Sequence, residues 1–143
     1  MDWQKLLTQA GYRISKPRKQ VMQLLENTQT PQTALAIYQQ LKAQGECASL
    51  VSVYRTLELF ASLGLISMVY EPEGSLGYLP ASVGHHHYIV CQVCHCAVEF
   101  TGTEDLDGLV HQVEGQTNFS VSDHLLQFFG VCPKCQNKSK ESA

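Results

Sequence analysis

The sequence predicts an α+β protein in two units, on three observations. Apolar residues recur at helical spacing through the first 63 positions, then give way to two short β-rich runs split by Pro72-Glu73-Gly74. A small, polar, breaker-rich stretch, Pro80-Ala81-Ser82-Val83-Gly84, follows and reads as a hinge. All six His and five of the six Cys lie beyond residue 84. The expected organisation is therefore a winged helix-turn-helix over residues 1–79, a hinge over 80–84, and a small metal-stapled α/β unit over 85–143.

Each element has a local reason. Asp2 to Ala10 reads as a short helix with Trp3, Leu6 and Leu7 on one side and Gly11 ending it. Ser15 is an N-cap candidate, with Pro17 in the first turn of a helix running to about Asn27 on a Val21, Leu24, Leu25 stripe. Thr30-Pro31 or Thr33 starts a third helix through Lys42, with Leu35, Ile37, Tyr38 and Leu41 expected inward and Gly45 stopping it. Ser49 starts a fourth, in which Leu50, Val53, Leu57 and Phe60 form the apolar face, leaving Ser52, Arg55, Thr56 and Ser62 on other faces. Strands are expected at Leu65–Glu71 and Ser75–Leu79. In the second unit they are expected near His85–Val90, at Ala97–Phe100 and at Phe119–Phe129, with a helix over about Asp105–Glu114 and a frayed tail, Asn-Lys-Ser-Lys-Glu-Ser-Ala.

Composition narrows the class of function. With 143 residues and 15.9 kDa there is room for one ordinary domain or two small ones, not for a large enzyme core. Apolar residues at 44% and charged residues at 16% exclude a disordered chain. No apolar run approaches the roughly 18 residues that span a bilayer, and the opening residues carry no signal-peptide core, so a cytoplasmic protein without membrane partners is expected. Charge is split unevenly. Residues 1–70 carry seven Lys/Arg against four acids, a net of +3, whereas residues 71–143 carry three Lys against nine acids, a net of −6. A basic front half suits a polyanion, and an acidic back half offers carboxylates to cations or a partner.

Two constellations carry chemistry. Cys91-x2-Cys94 and Cys132-x2-Cys135 are two knuckles, each presenting a pair of thiolates, and together they complete the tetrahedron zinc prefers. A closed four-thiolate site is structural and would staple a unit too small to rely on its core. Cys94-His95-Cys96 offers alternative ligands; Cys96 is read as a strand residue and His95 as exposed in the knuckle. In Gly84-His85-His86-His87-Tyr88, an extended backbone puts His85 and His87 on one side and His86 on the other. His124 and a carboxylate from the 105–114 helix could complete a site of three imidazoles and one carboxylate, while His95 and His111 read as satisfied or surface histidines.

Across nearly its whole length the chain resembles the ferric uptake regulator (Fur) superfamily of bacterial metal-dependent repressors, most of all its zinc uptake regulator branch. The resemblance is carried by Arg13-Ile-Ser-Lys-Pro-Arg18, Ser52-Val-Tyr-Arg-Thr-Leu57, the His-rich stretch followed by Cys91-x2-Cys94, Val98-Glu99-Phe100, and Asp123-His124 to Gly130-x-Cys132. It implies an N-terminal winged-helix DNA-binding domain and a C-terminal dimerisation domain, with bound metal fixing the spacing of two DNA-binding heads on a palindromic, AT-rich double-stranded operator. The fourth helix would enter the major groove. Tyr54 and Arg55 match the family's DNA-contacting pair, with Ser52 and Thr56 beside them, and Arg13, Lys16, Arg18 and Lys19 would contact phosphates.

The same resemblance implies a regulatory metal site at His85, His87, Asp107 and His124, with Asp107 preferred over Glu104 because that register buries Leu106, Val110 and Val113. Iron sensors of the family often carry Asp where this chain has His87, and zinc sensors tend to carry His. The family's other regulatory site falls on Pro31, Leu79, His86, Tyr88 and Glu99, so only His86 and Glu99 remain as a remnant. The peroxide-sensing chemistry that needs oxygen-rich iron ligation is accordingly not expected.

The expected function is a zinc-responsive repressor of metal-uptake genes: a homodimer with one structural and one regulatory Zn2+ per protomer, and not an enzyme. An imidazole-rich, four-coordinate set favours zinc over iron or manganese, although copper and nickel also suit it. Three alternatives are an iron- or other metal-responsive regulator of the same family, a zinc enzyme, and a zinc buffer. An enzyme would keep a coordination position open for water. A buffer would leave the basic front half unexplained.

Overall fold

The computed structural model describes residues 2–46, 48–82, 86–101 and 106–141. Its first unit runs α1 (Trp3–Gln9), α2 (Lys16–Glu26), β1 (Gln32–Thr33), α3 (Ala34–Ala43), α4 (Leu50–Ser62), β2 (Ile66–Tyr70) and β3 (Leu76–Pro80). The side chains of Asp2, Thr33 and Ser49 cap α1, α3 and α4 by accepting the N–H groups of Lys5, Ala36 and Ser52. Ser15 occupies the N-cap of α2 without a side-chain cap bond, and Pro17 falls in the first turn. Gly45 and Gly64 end α3 and α4 at φ +80 and +71, and the following amides of Glu46 and Leu65 reach back to Leu41 and Phe60. That closure needs a left-handed residue, which glycine supplies without a Cβ clash.

Helical stripes and one face of the sheet make the principal core, centred on Leu7, Val21, Leu25, Ile37, Leu57 and Phe60. Trp3 meets Phe60 edge to face at 5.5 Å and 77°, docking α1 on α4. The sheet order is β1-β3-β2, all antiparallel, with Ile66 opposite Pro80 and Gln32 opposite Tyr78. Two expectations are corrected here, and one element is added. Leu35 is 50% exposed, because the inward stripe of α3 is Ala34, Ile37 and Leu41 and Leu35 lies one residue off it. Thr56 is only 4% exposed, one residue before Leu57 on the buried side of α4. β1, two residues long, shows no alternation in the sequence and exists by pairing with β3.

The second unit comprises β4 (His87–Cys91), β5 (Ala97–Phe100), α5 (Asp107–Thr117), β6 (Gln127–Gly130) and α6 (Pro133–Glu141). Its sheet order is β5-β4-β6, with β4 antiparallel to β5 and parallel to β6. A small core of Val69, Leu79, Tyr88 and Val90 is shared between β2, β3 and β4, so the two sheets are packed rather than merely tethered. The expected long strand over 119–129 shrinks to 127–130, and residues 118–126 have no regular structure. The tail expected to fray is helical through Glu141. Helix α5 buries none of its residues: Val113 is 40% and Leu109 55% exposed, against the expectation that Val113 faces inward. No helix among the described residues is long and apolar enough to cross a membrane.

Candidate metal centre and nucleic-acid interface

The knuckle turn after β4 and the start of α6 bring the thiols together. Ligand atoms of Cys91, Cys94, Cys96 and Cys132 all lie within 4.8 Å of one another, and Cys94 Sγ is 3.7 Å from Cys132 Sγ. Cys135, buried in the first turn of α6, interacts with Cys132, Cys94 and Cys91 from beside this cluster, so three of the four sequence-predicted thiols share the tight group and the fourth adjoins it. Cys96 is not a strand residue. It sits just before β5 and joins the cluster as a fifth thiol, because the knuckle turns the chain back over itself.

Charge in this cluster is set by the backbone. N–H groups of Cys132, Cys94 and Val93 donate to Cys91 Sγ at 3.3, 3.5 and 3.4 Å and hold that thiol down to about 5. The Cys135 backbone N–H lowers Cys132 in the same way. Hydrogen bonding with Cys94 and burial push Cys96 up to about 12, and hydrogen bonding with Cys132 and burial do the same to Cys135. Sulfurs this close, with amide donors already in place for thiolate charge, suit a tetrahedral zinc ion replacing their protons.

The histidine constellation is brought together in part. His87, on β4, is 7% exposed, and its Nδ1 lies 3.2 Å from the Leu126 carbonyl. Its ring centroid is 5.6 Å from that of His124, which stands exposed in the irregular segment before β6, not on a long strand. His86, His87, Tyr88 and His124 line one cavity of about 200 Å³ with Ser67 and Gln127. Asp107 is exposed in the first turn of α5, and no close donor group among the described residues joins it to His87 and His124. His85 lies outside the described residues.

Just before β4, His86 Nδ1 pairs closely with Glu99 Oε1, and Ser82 Oγ donates to Glu99 Oε2 at 2.5 Å. Burial raises the neighbouring Tyr88 phenol, a bond with Ser67 opposes that shift, and the charge of Glu99 adds to it. Of the remaining positions expected of this second site, Leu79 is a buried core residue and Pro31 packs against Gly77.

Among the residues expected at DNA, α4 presents Tyr54 and Arg55 outward and Ser52 half-buried beside the N-cap, where Ser49 Oγ donates to Ser52 Oγ at 2.9 Å. Thr56, buried in the core face, is removed from the contact set. Arg13, Lys16 and Lys19 are exposed around the start of α2. Arg18 stacks over the Tyr12 ring at 5.5 Å and donates to the Arg13 carbonyl, and Lys16 approaches Glu46 at 3.6 Å.

One contact has no counterpart in the sequence reading. His95, read there as an exposed or satisfied histidine, places Nδ1 3.0 Å from Oε2 of the buried Glu71. Their separation of 24 positions left no spacing signal; a His directly after a Cys-x2-Cys and a Glu-x-Glu turn were the available clues.

Comparison with known proteins agrees with this architecture. The ferric uptake regulator family model matches residues 9–129. The ferric uptake regulation protein of Legionella pneumophila is 34% identical over 138 residues, 95% of this chain and 100% of that protein. The peroxide-responsive repressor PerR of Staphylococcus aureus is 29% identical over 132 residues, 92% of this chain and 88% of that protein. Among solved structures, the ferric uptake regulator of Pseudomonas aeruginosa with manganese superimposes with a TM-score of 0.63 at 26% identity, covering 93% of this chain and 99% of that one. A zinc uptake regulator complexed with zinc and DNA gives a TM-score of 0.76 at 17% identity, covering 96% and 92%, a likeness of fold. With a family model spanning most of its length and a relative at this identity, the chain belongs to the ferric uptake regulator family and is a metal-responsive transcriptional regulator, not an enzyme.

Proposed function

We propose that this regulator is a zinc-responsive repressor that binds a palindromic, AT-rich operator as a homodimer and controls metal uptake from the cytoplasm. The observation that carries the reading is the approach of His87 and His124 to 5.6 Å in a cavity also lined by His86. Imidazole-dominated donors favour zinc over iron or manganese, which accept more oxygen ligands. His85, His87, Asp107 and His124 are the proposed regulatory ligands, and Cys91, Cys94, Cys132 and Cys135 the proposed structural ones. Zinc would supply a shared positive centre that draws these donors together.

The chain's own residues then do the coupling. His87 already holds the segment before β6 through the Leu126 carbonyl, so ordering His124 against it fixes that segment on β4. His85 and His86 lie directly after the hinge, so ligation there would restrict where the winged helix emerges. A ligand shifts such an equilibrium only by binding one arrangement better than the other. The remnant pair His86 and Glu99, bonded to Ser82 in the proposed 80–84 hinge, is assigned a hinge-holding role. Exposed Phe119, Leu125, Phe128 and Phe129, at 73, 72, 49 and 44%, with α5 unburied, support a self-complementary dimer face.

A second reading, an iron-responsive regulator, is favoured by the 34% identity to a protein named for ferric uptake regulation. Metal analysis of purified protein, together with selection from a randomised duplex pool in zinc, iron, manganese or nickel, separates the two. Zinc alone should yield enriched palindromes. Enrichment with iron and none with zinc would overturn the zinc reading.

A further inference from the structure

The turn between the wing strands and the cysteine knuckle meet at another set of metal-donor side chains. Glu71, directly after β2, has a side chain only 5% exposed, and its Oε2 lies 3.0 Å from His95 Nδ1. Glu73, two residues further round the turn, brings its carboxylate in so that ligand atoms of all three residues lie within 4.8 Å of one another. We propose that Glu71, Glu73 and His95 form a divalent-cation site that bolts the wing to the cysteine knuckle.

Two independent features separate this set from a chance surface cluster. The first is a prepared cradle. At Gly77 on β3, a Cβ would stand 3.0 Å from Glu71 Oε1 and 2.6 Å from Pro31 Cβ, so only a residue without a side chain leaves room for the buried carboxylate. A carboxylate removed from water is costly unless a positive partner compensates it, and the partner it is given is an imidazole rather than a Lys or Arg. The second is the origin of that imidazole. His95 comes from the other unit of the protein and sits at φ +65, a left-handed backbone that residues with a Cβ rarely adopt, yet its ring meets the wing.

Ser75 Oγ fixes Glu73 by donating to Oε1 at 2.7 Å, which holds the exposed carboxylate near the turn. Two carboxylates and one imidazole are a three-ligand set that suits zinc or manganese, with water completing the coordination. Occupancy would tie the angle of the wing to the second unit, giving metal supply a hold on the DNA-binding head at a point remote from His87 and His124. The site does not depend on the zinc-sensing reading, and either can fail without the other.

The test is zinc, then manganese, titrated into the intact protein against a chromophoric chelator after the structural zinc has been counted. Glu73→Gln alters an exposed side chain away from the thiols, and His95→Asn keeps a residue that tolerates the left-handed backbone. With structural zinc retained, each should lose one weaker equivalent per protomer, read as a rise of about tenfold or more in its dissociation constant. His124→Ala should lose a different equivalent, and the His124→Ala/Glu73→Gln double variant both. Unchanged stoichiometry and affinity in Glu73→Gln would overturn the site; an unchanged titration in His124→Ala would overturn the regulatory assignment instead.

Discussion

Gln127 treats the backbone of Tyr70 as a strand neighbour: its Nε2 donates to the Tyr70 carbonyl at 2.7 Å, and its Oε1 accepts the Tyr70 N–H at 2.9 Å. Tyr70 ends an edge strand of the first sheet and Gln127 begins an edge strand of the second. One carboxamide thereby satisfies two main-chain groups that would otherwise face water and joins the two units beside the proposed metal cavity. Gln127→Ala should cost about 1–3 kcal/mol, two net hydrogen bonds at about 0.5–1.5 kcal/mol each. Hydrogen exchange should show the Tyr70 amide opening faster while the amides of α4 keep their protection.

Five thiols gather at the proposed zinc centre, and a tetrahedral ion would take four of them. Cys94→Ser or Cys132→Ser should remove the structural zinc and unfold or monomerise the second unit, as seen by zinc content and sedimentation. Cys96→Ser should retain both zinc and dimer. A zinc-free, dimeric Cys132→Ser protein would refute the structural assignment.

His124 is exposed and lies outside regular structure, so its truncation leaves the packing intact. His124→Ala should lower zinc-dependent operator affinity by about tenfold or more while the dimer remains folded. Gel-shift titration at fixed free zinc measures this, and a full zinc response in the variant would remove His124 from the regulatory set.

Neighbouring positions on α4 should behave in opposite ways. Arg55→Ala should weaken DNA binding and flatten its dependence on salt, with an unchanged melting temperature. Thr56→Ala should destabilise the winged helix by about 1–2 kcal/mol while leaving the affinity of folded protein unchanged. Affinity measured at several ionic strengths, alongside thermal unfolding, separates the two effects.

The hydrophobic anchor of the first helix offers a stability test without any change at the sites. Trp3 is 4% exposed against Phe60, and Trp3→Ala should cost about 3–5 kcal/mol in chemical denaturation.

Local signals were sufficient where a residue's neighbours in sequence are also its neighbours in space. Ser49 as a cap, Gly45 and Gly64 as stops, the Val53, Leu57, Phe60 stripe and the two Cys-x2-Cys knuckles all follow from backbone hydrogen bonding and helical period within one or two turns. Phe119–Phe129 misled because apolar residues meant for an exposed face look like a buried strand when read one chain at a time. The α6 tail misled because its polar sequence has no stripe of its own and is anchored through Cys135.

Chain order by itself pointed to a basic helical head and an acidic, thiol-rich second unit, and to the two Cys-x2-Cys knuckles as the proposed zinc ligands. Only tertiary structure decided that Thr56 turns inward, that Cys96 joins the thiols, that Gln127 bridges two sheet edges, and that Glu71 meets His95. Each of those depends on segments distant in sequence sharing one small volume. Their energies come from burial and from hydrogen bonds across that gap, and periodicity within a single element carries no record of them.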